Sequence, residues 1–443
     1  MVSSFPTMSV TIDSSLFTGS YPDEHRVPGL TWYSTIEKRL INYGTGPIES
    51  MRLGVDSVLE NILLNLNGAH LNRQLPTIHE DLHALGLKSS SINGLIYRGN
   101  IDHTLTIPPL VDITTSLPRS LTVQGPDYLT LGALSDPLKD KELLPDGITD
   151  RIGLNNEFSI LNINYLIREK KLPDFFFVYL PDLDQKLHKN GPADLGGLKE
   201  LDRQIASVLE SFGSVEEALD QAIFIITGDS GMSQIKPAED EPTIKLTSFF
   251  NDYNVLKPDE AVTDNTQIVL AVNETMAYVY SLQIDKLTEL ANLLKADPRV
   301  DIISWKENAW INVIQADTNK KLRFQAKGKL QDYYQQKWTV VGDIDILDLN
   351  IDQKSIEYGK YPDGLQRLTS ALHSHPGNYL VVTAKSGYEF SGNSSPTHTG
   401  GGGHGSLDEE VSLVPLIIIG SDQKPQYLRI VDLKSFILKL LAK

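Results

Sequence analysis

Residues 175–191 read FFFVYLPDLDQKLHKNG and residues 222–232 read AIFIITGDSGM. Each stretch opens with an uninterrupted apolar run, Phe175 to Leu180 and Ala222 to Thr227, and each run gives way to an acidic segment. Short runs of aromatic and β-branched residues without polar alternation predict strands covered on both faces, as in a parallel sheet. Between them, residues 195–212 place Leu198, Leu201, Ile205, Leu209 and Phe212 on one face of a helix. Strand, amphipathic crossover helix and strand predict an α/β fold, in which function gathers at the carboxyl ends of the strands.

Further along, YLVVTA (Tyr379 to Ala384) and VPLIII (Val414 to Ile419) predict two more strands of the same sheet, and residues 433–441 a closing amphipathic helix. Residues 236–375 have a different texture: a strand over 268–280, a helix over 285–294 and a hairpin over 310–324. The expected organisation is a core of residues 1–235 and 376–443 with an inserted α+β subdomain at 236–375.

The 443 residues are 40% hydrophobic and carry a formal charge of −17, enough for one large core and a smaller second one. Such an acidic chain is poorly suited to non-specific binding of nucleic acid or anionic membranes, which clustered Lys and Arg would hold. An anionic substrate would need local positive charge, which a bound metal ion can supply. There is no cysteine, so thiolate ligands and cysteine nucleophiles are excluded, and metal ligands must be His, Asp, Glu or hydroxyl groups. No apolar run approaches the roughly 20 residues of a membrane span, and residues 1–9 do not read as a signal peptide. As written, the sequence predicts a cytoplasmic protein, or an exported or anchored one if an upstream segment carried a signal.

The chemistry-bearing residues fall where an α/β fold would use them. Asp184 and His188 stand four residues apart after the first run, in a stretch read as a loop and closed by Gly191-Pro192; together they suit zinc or manganese. Asp229 follows the second run, and His404 follows the glycines 400–403, which would let the backbone approach a ligand closely. A competing pattern is His79-Glu80-Asp81-Leu82-His83, the H-E-x-x-H of zinc peptidases. Thr77 and Glu80 form a capping box there, and the helix ends by Gly86.

The order of a D-x-x-x-H-x-x-G-P segment, a Gly228-Asp229-Ser230-Gly231-Met232 loop and a late Gly403-His404-Gly405 loop resembles the alkaline phosphatase superfamily, in its type I phosphodiesterase/nucleotide pyrophosphatase branch. The segment Phe5-Pro6-Thr7-Met8-Ser9, continuing to Thr18-Gly19 and Tyr21-Pro22, is similar to that branch's nucleophile segment. The resemblance implies an alkaline-phosphatase-like central, mostly parallel sheet flanked by helices, and a metal-dependent hydrolase of phosphoester or nucleotide-like small molecules. It implies Ser9 as nucleophile and Asp184, His188 and His404 as ligands of one divalent ion. Asp229 and Ser230 fall at the second ion's position.

This sequence departs from the family pattern at three points. Ser230 stands where the family has a second-metal His, and Ile12 where it has a phosphate-contacting Asn. Only eight residues precede Ser9, whereas the family carries a further Asp ligand on a strand well upstream. The expectation is therefore that Met1 is an internal methionine, and that the sheet shows an open slot or exposed edge beside the strand leading to Asp184 or Asp229. Two alternatives stay open: a non-catalytic relative acting as a binding module, and a zinc peptidase using His79 and His83. His373, His375 and His398 are candidates to replace the imidazole absent at Ser230.

Overall fold

The computed structural model describes residues 1–45, 50–52, 54–108, 115–147, 149–257, 260–283, 286–392 and 395–442. In chain order, the elements that build the first unit are α1 (Ser9–Thr18), α2 (Ile78–Ala84), β1 (Ser89–Ile92), β2 (Tyr128–Thr130), α3 (Asn156–Arg168), β3 (Phe175–Val178), α4 (Asp182–Asn190), α5 (Leu195–Glu210) and β4 (Phe224–Thr227). The second unit holds β5 (Ile268–Asn273), β6 (Met276–Ser281), α6 (Leu287–Leu294), β7 (Val300–Glu307), β8 (Trp310–Gln315), β9 (Lys321–Asp332), β10 (Lys337–Gly342), β11 (Leu349–Asp352), β12 (Ser355–Tyr358), α7 (Gly364–His373) and β13 (Tyr379–Ala384). The chain then returns to the first unit through β14 (Leu416–Ile419) and α8 (Leu433–Leu441).

Local signals set these boundaries. Gly19 adopts φ 69° where α1 stops, a conformation that a Cβ would strain. Thr77 and Glu80 cap α2 reciprocally, and the Asn155 side chain accepts from the Phe158 amide at the start of α3. The helix expected over 285–294 is α6, beginning at Leu287; residue 285 lies outside the described residues.

The second unit is a nine-stranded sheet in the order β5-β6-β13-β7-β8-β9-β12-β11, with β10 on β9. Its central strands alternate strictly: Met276, Tyr278 and Tyr280 of β6 enter one core with Leu365, Leu368 and Leu372 of α7. Ala277 and Val279 enter the opposite core with Leu287, Leu290 and Leu294 of α6. Both faces are therefore covered, which is why these strands read as continuous apolar runs. Two expectations are corrected here. Residues 268–280 are not one strand but a hairpin, β5 and β6 in antiparallel register with Asn273 opposite Met276. Tyr379–Ala384 joins this sheet, antiparallel to both β6 and β7, and not the sheet of the first apolar run. A doubly covered strand has the same composition in either sheet, and a unit ending at residue 375 would cut this one.

In the first unit, β3 runs parallel to β1, with Phe176 opposite Ser90, and β1 runs parallel to β2. β4 pairs antiparallel with β14, Ile226 opposite Ile417. α1, α2 and α8 cover these strands on one side: Phe17, Leu82 and Phe436 pack with Phe175, Phe177, Ile225 and Ile418. On the other side α3 and α5 contribute Ile160, Ile167 and Val208, with Phe212 and Phe224 against them.

β3 and β4 pack into the same core through Phe175, Phe177 and Ile225, yet among the described residues they do not pair with each other. Among the described residues β3 pairs only with β1, and β4 only with β14. The eight residues of the two strands are all half-buried, whichever face they point to. Exposure that ignores the alternation of faces comes from an edge, because an uncovered face would expose every second residue. Cover on the α5 side is correspondingly thin: Leu195 is 60% and Leu198 51% exposed, so the apolar face read from the sequence is only partly used.

Candidate active site

The chain leaves β3 through Tyr179, Leu180 and Pro181 and turns directly into α4. Asp184 and His188 are thus one helical turn apart on a helix, not in a loop as the sequence suggested. Pro181 at the N-cap position and Asp182 at the first turn are start signals. Asp182 is committed elsewhere: its carboxylate holds Arg151 and accepts from the Asn156 amide at 3.0 Å. That leaves Asp184, whose Oδ1 lies 3.4 Å from His188 Nε2 and 3.5 Å from His404 Nε2.

His404 reaches this position because the preceding glycines lie against the end of α4. A Cβ on Gly401 would stand 1.9 Å from the His188 carbonyl oxygen, so the expected close approach is to the helix itself. His188 Nδ1 sits 2.9 Å from the Gly402 carbonyl and His404 Nδ1 2.5 Å from the Thr7 carbonyl. A carbonyl only accepts, so both Nδ1 atoms carry the proton, and the neutral tautomers leave both Nε2 lone pairs facing Asp184. Asp184, His188 and His404 form one of two groups among the described residues with ligand atoms close enough to share an ion. The donor chemistry fits a divalent metal: fixed imidazole lone pairs, a carboxylate, and carbonyls orienting the rings from behind.

The other group is His188, Glu274 and His398. The His398 ring stacks on His188 with centroids 4.2 Å apart. Its Nδ1 is buried without a hydrogen bond among the described residues; Glu389 Oε2 is 3.4 Å away but poorly aligned. Of the three histidines proposed to replace an imidazole at Ser230, His398 joins the cluster at His188. His375 is buried against Tyr280 and Tyr379, and His373 bonds the Thr369 carbonyl. Glu274 was not foreseen. It sits in the turn between β5 and β6, inside a stretch read as one strand; a polar Asn-Glu-Thr break in an apolar run was the available signal.

The electrostatics are those of buried opposite charges. Burial works against the His188 imidazolium, but Glu274 and Asp184 outweigh it and lift the group to about 9. For His404, burial is again outweighed, by Glu274, Asp184 and Asp229, and the group rises to about 10. Burial opposes ionisation of Asp184, yet the two imidazoles beside it hold its carboxyl well below the usual range. Without an ion, protons on these imidazoles supply the balancing charge.

Ser9 begins α1. Its Oγ donates to Asp229 Oδ2 at 2.6 Å, and Asp229 Oδ1 accepts from the Ser230 amide at 2.7 Å. The segment is stitched to the His404 loop, the Gly405 amide donating to Thr7 Oγ1 at 2.7 Å. Tyr179 links the two halves: burial, then the charges of Asp229, Asp13 and Asp184, hold its hydroxyl protonated beside Ser9. Asp13, one turn after Ser9, is 3% exposed. Its Oδ2 is without a hydrogen-bond partner among the described residues. Ile12 is wholly buried in the apolar core and offers nothing to a phosphate.

His79 and His83 do not converge. His79 is buried against Phe17 and Phe175 and bonds Ser89 Oγ at 3.0 Å, while His83 is exposed. Neither belongs to a ligand group among the described residues, so the peptidase expectation is withdrawn. The apolar contacts of His79 account for its place on α2.

The sequence matches the family described as type I phosphodiesterase / nucleotide pyrophosphatase over residues 1–407. No curated protein matches it. Among solved structures, murine ectonucleotide pyrophosphatase/phosphodiesterase 5 is similar with a TM-score of 0.55 at 13% identity, over 100% of this chain and 86% of that one. The human form gives 0.53 at 13% identity, over 99% and 85%. Phosphonoacetate hydrolase from Sinorhizobium meliloti gives 0.53 at 14% identity, over 99% and 86%. At such identities the likeness establishes a shared fold, the alkaline-phosphatase-like one expected.

Proposed function

The chain belongs to the type I phosphodiesterase/nucleotide pyrophosphatase family, and from that premise we propose that it is a metal-dependent phosphoester hydrolase with Ser9 as its nucleophile. The observation that carries this reading is the 2.6 Å bond from Ser9 Oγ to Asp229 beside the Asp184, His188 and His404 cluster. Asp229 orients the hydroxyl and is placed to take its proton as Oγ attacks phosphorus. The Oγ–P bond forms as the bond to the leaving oxygen breaks, and water then hydrolyses the serine phosphoryl ester, which keeps the second alcohol when the substrate is a diester. The dipole of the first turn of α1 favours the phosphoryl oxygens.

Asp184, His188 and His404 would hold the ion, zinc by donor type, with manganese as the alternative. When bound, it supplies positive charge for the phosphoryl oxygens. The family's second position falls on Asp229 and Ser230, where one carboxylate with hydroxyls makes the weaker site. A nucleotide-like substrate is supported by an inactive form of the murine relative, solved in complex with AMP.

The buried Ile12 and the hydroxyl at Ser230 favour a second reading, a binding module without turnover. Acid quenching during exposure to a chromogenic phosphodiester, followed by peptide mapping, separates the two. A phosphoryl group on Ser9 that still carries one of the diester's two alcohols supports the hydrolase. Its absence together with absent turnover supports the binding module.

A further inference from the structure

We infer that Glu274, carried by the hairpin of the second unit, is a ligand of the ion at Asp184, His188 and His404. The inference rests on the metal-dependent reading above and adds a ligand from the other sheet.

Glu274 is a carboxylate only 7% exposed, and no Lys or Arg pairs with it among the described residues. Its Oε2 accepts the His404 backbone amide at 3.1 Å. Its Oε1 accepts no hydrogen bond among the described residues and faces His188 Nε2 at 3.7 Å and His404 Nε2 at 3.9 Å. These are the two nitrogens that Asp184 Oδ1 approaches at 3.4 and 3.5 Å. Two carboxylate oxygens therefore face the same pair of imidazole lone pairs. The separations are too long for good hydrogen bonds and close to those of atoms sharing an ion at about 2.0–2.2 Å each.

Charge points the same way. Asp184 with two neutral imidazoles carries −1 and would leave a dication half-compensated; Glu274 brings the set to −2. A buried carboxylate is costly unless paired or bound to a metal. The backbone also holds Glu274 in place. The Thr275 amide donates to the His404 carbonyl at 3.1 Å, the Ser406 amide to Thr275 Oγ1 at 2.9 Å, and the Phe390 amide to the Glu274 carbonyl at 2.8 Å. The turn that carries Glu274 and the loop that carries His404 are thus hydrogen-bonded to each other. Glu274 itself adopts φ 55°, a conformation Gly or Asn would take at lower cost.

The test uses chelator-stripped full chain, with binding followed by calorimetry for Zn²⁺ and by visible absorption for Co²⁺. Glu274→Gln keeps an oxygen to accept the His404 amide while removing the charge. It is expected to bind Zn²⁺ at least about 10-fold more weakly, with unchanged stoichiometry and an altered Co²⁺ spectrum. Ser9→Ala is expected to match wild type in both. A Glu274→Gln protein with wild-type affinity and spectrum overturns the assignment of Glu274 alone. A wild-type protein that binds neither ion overturns this inference and the metal-dependent reading together.

Discussion

Ser9 Oγ donates to Asp229 Oδ2 across 2.6 Å, joining two residues 220 positions apart in the chain. The bond brings the first turn of α1 to the carboxyl end of β4. Replacing Ser9 by Ala removes the attacking atom and leaves the Asp184, His188 and His404 cluster untouched. Phosphodiester turnover is expected to fall by on the order of 10³-fold or more, with zinc stoichiometry and melting temperature near wild type. Wild-type kcat in Ser9→Ala would remove Ser9 from the mechanism.

The metal-free protein should be most stable near pH 6.5, with stability falling on both sides of it. Burial lowers His25, His79 and His375 to about 3, so they stay neutral when folded, whereas the unfolded chain protonates them below 6.5. Their stabilisation is present above 6.5 and lost as pH falls, by roughly 2 kcal/mol each at pH 5. His188 and His404 have the opposite sign: raised to about 9 and 10, they contribute below 6.5 and lose that contribution as pH rises through those values. Thermal melts in chelator from pH 4.5 to 10.5 check both limbs. A monotonic profile would contradict this balance.

The unpaired edges of β3 and β4 make a prediction about amide exchange. Every residue of β6 and β13 is buried and each strand is paired on both sides, whereas among the described residues β3 and β4 have one partner each. Amides of 175–178 and 224–227 should exchange orders of magnitude faster than those of 276–281 and 379–384. Exposed edges also invite pairing between chains, so light scattering should show association that grows with concentration. Equal protection in the four strands and a concentration-independent monomer would show that the edges are covered.

Much of this site was legible because its landmarks are local. An apolar run followed by an acid marks a strand end, which located Asp184, His188 and Asp229, and the glycine run flagged His404. What stayed hidden depends on long-range placement. β13 carries the same pattern whichever sheet it enters, so its partners β6 and β7 could not be read. Glu274 was masked by the apolar β5 and β6 around it, and its meeting with His404, 130 residues later, leaves no trace in spacing. The turn from Pro181 into α4 was legible in principle, since a proline and an acid open the helix.

The central claim is that hydrolysis depends on an ion held by Asp184, His188 and His404. Its most direct test is the rate of chromogenic phosphodiester hydrolysis as Zn²⁺ is added stepwise to chelator-stripped protein, wild type beside His404→Ala. The account predicts no turnover before addition, a rise with the first equivalent bound by wild type, and none in His404→Ala over the same range. Turnover in chelator equal to that with zinc, or His404→Ala responding as wild type does, would contradict it.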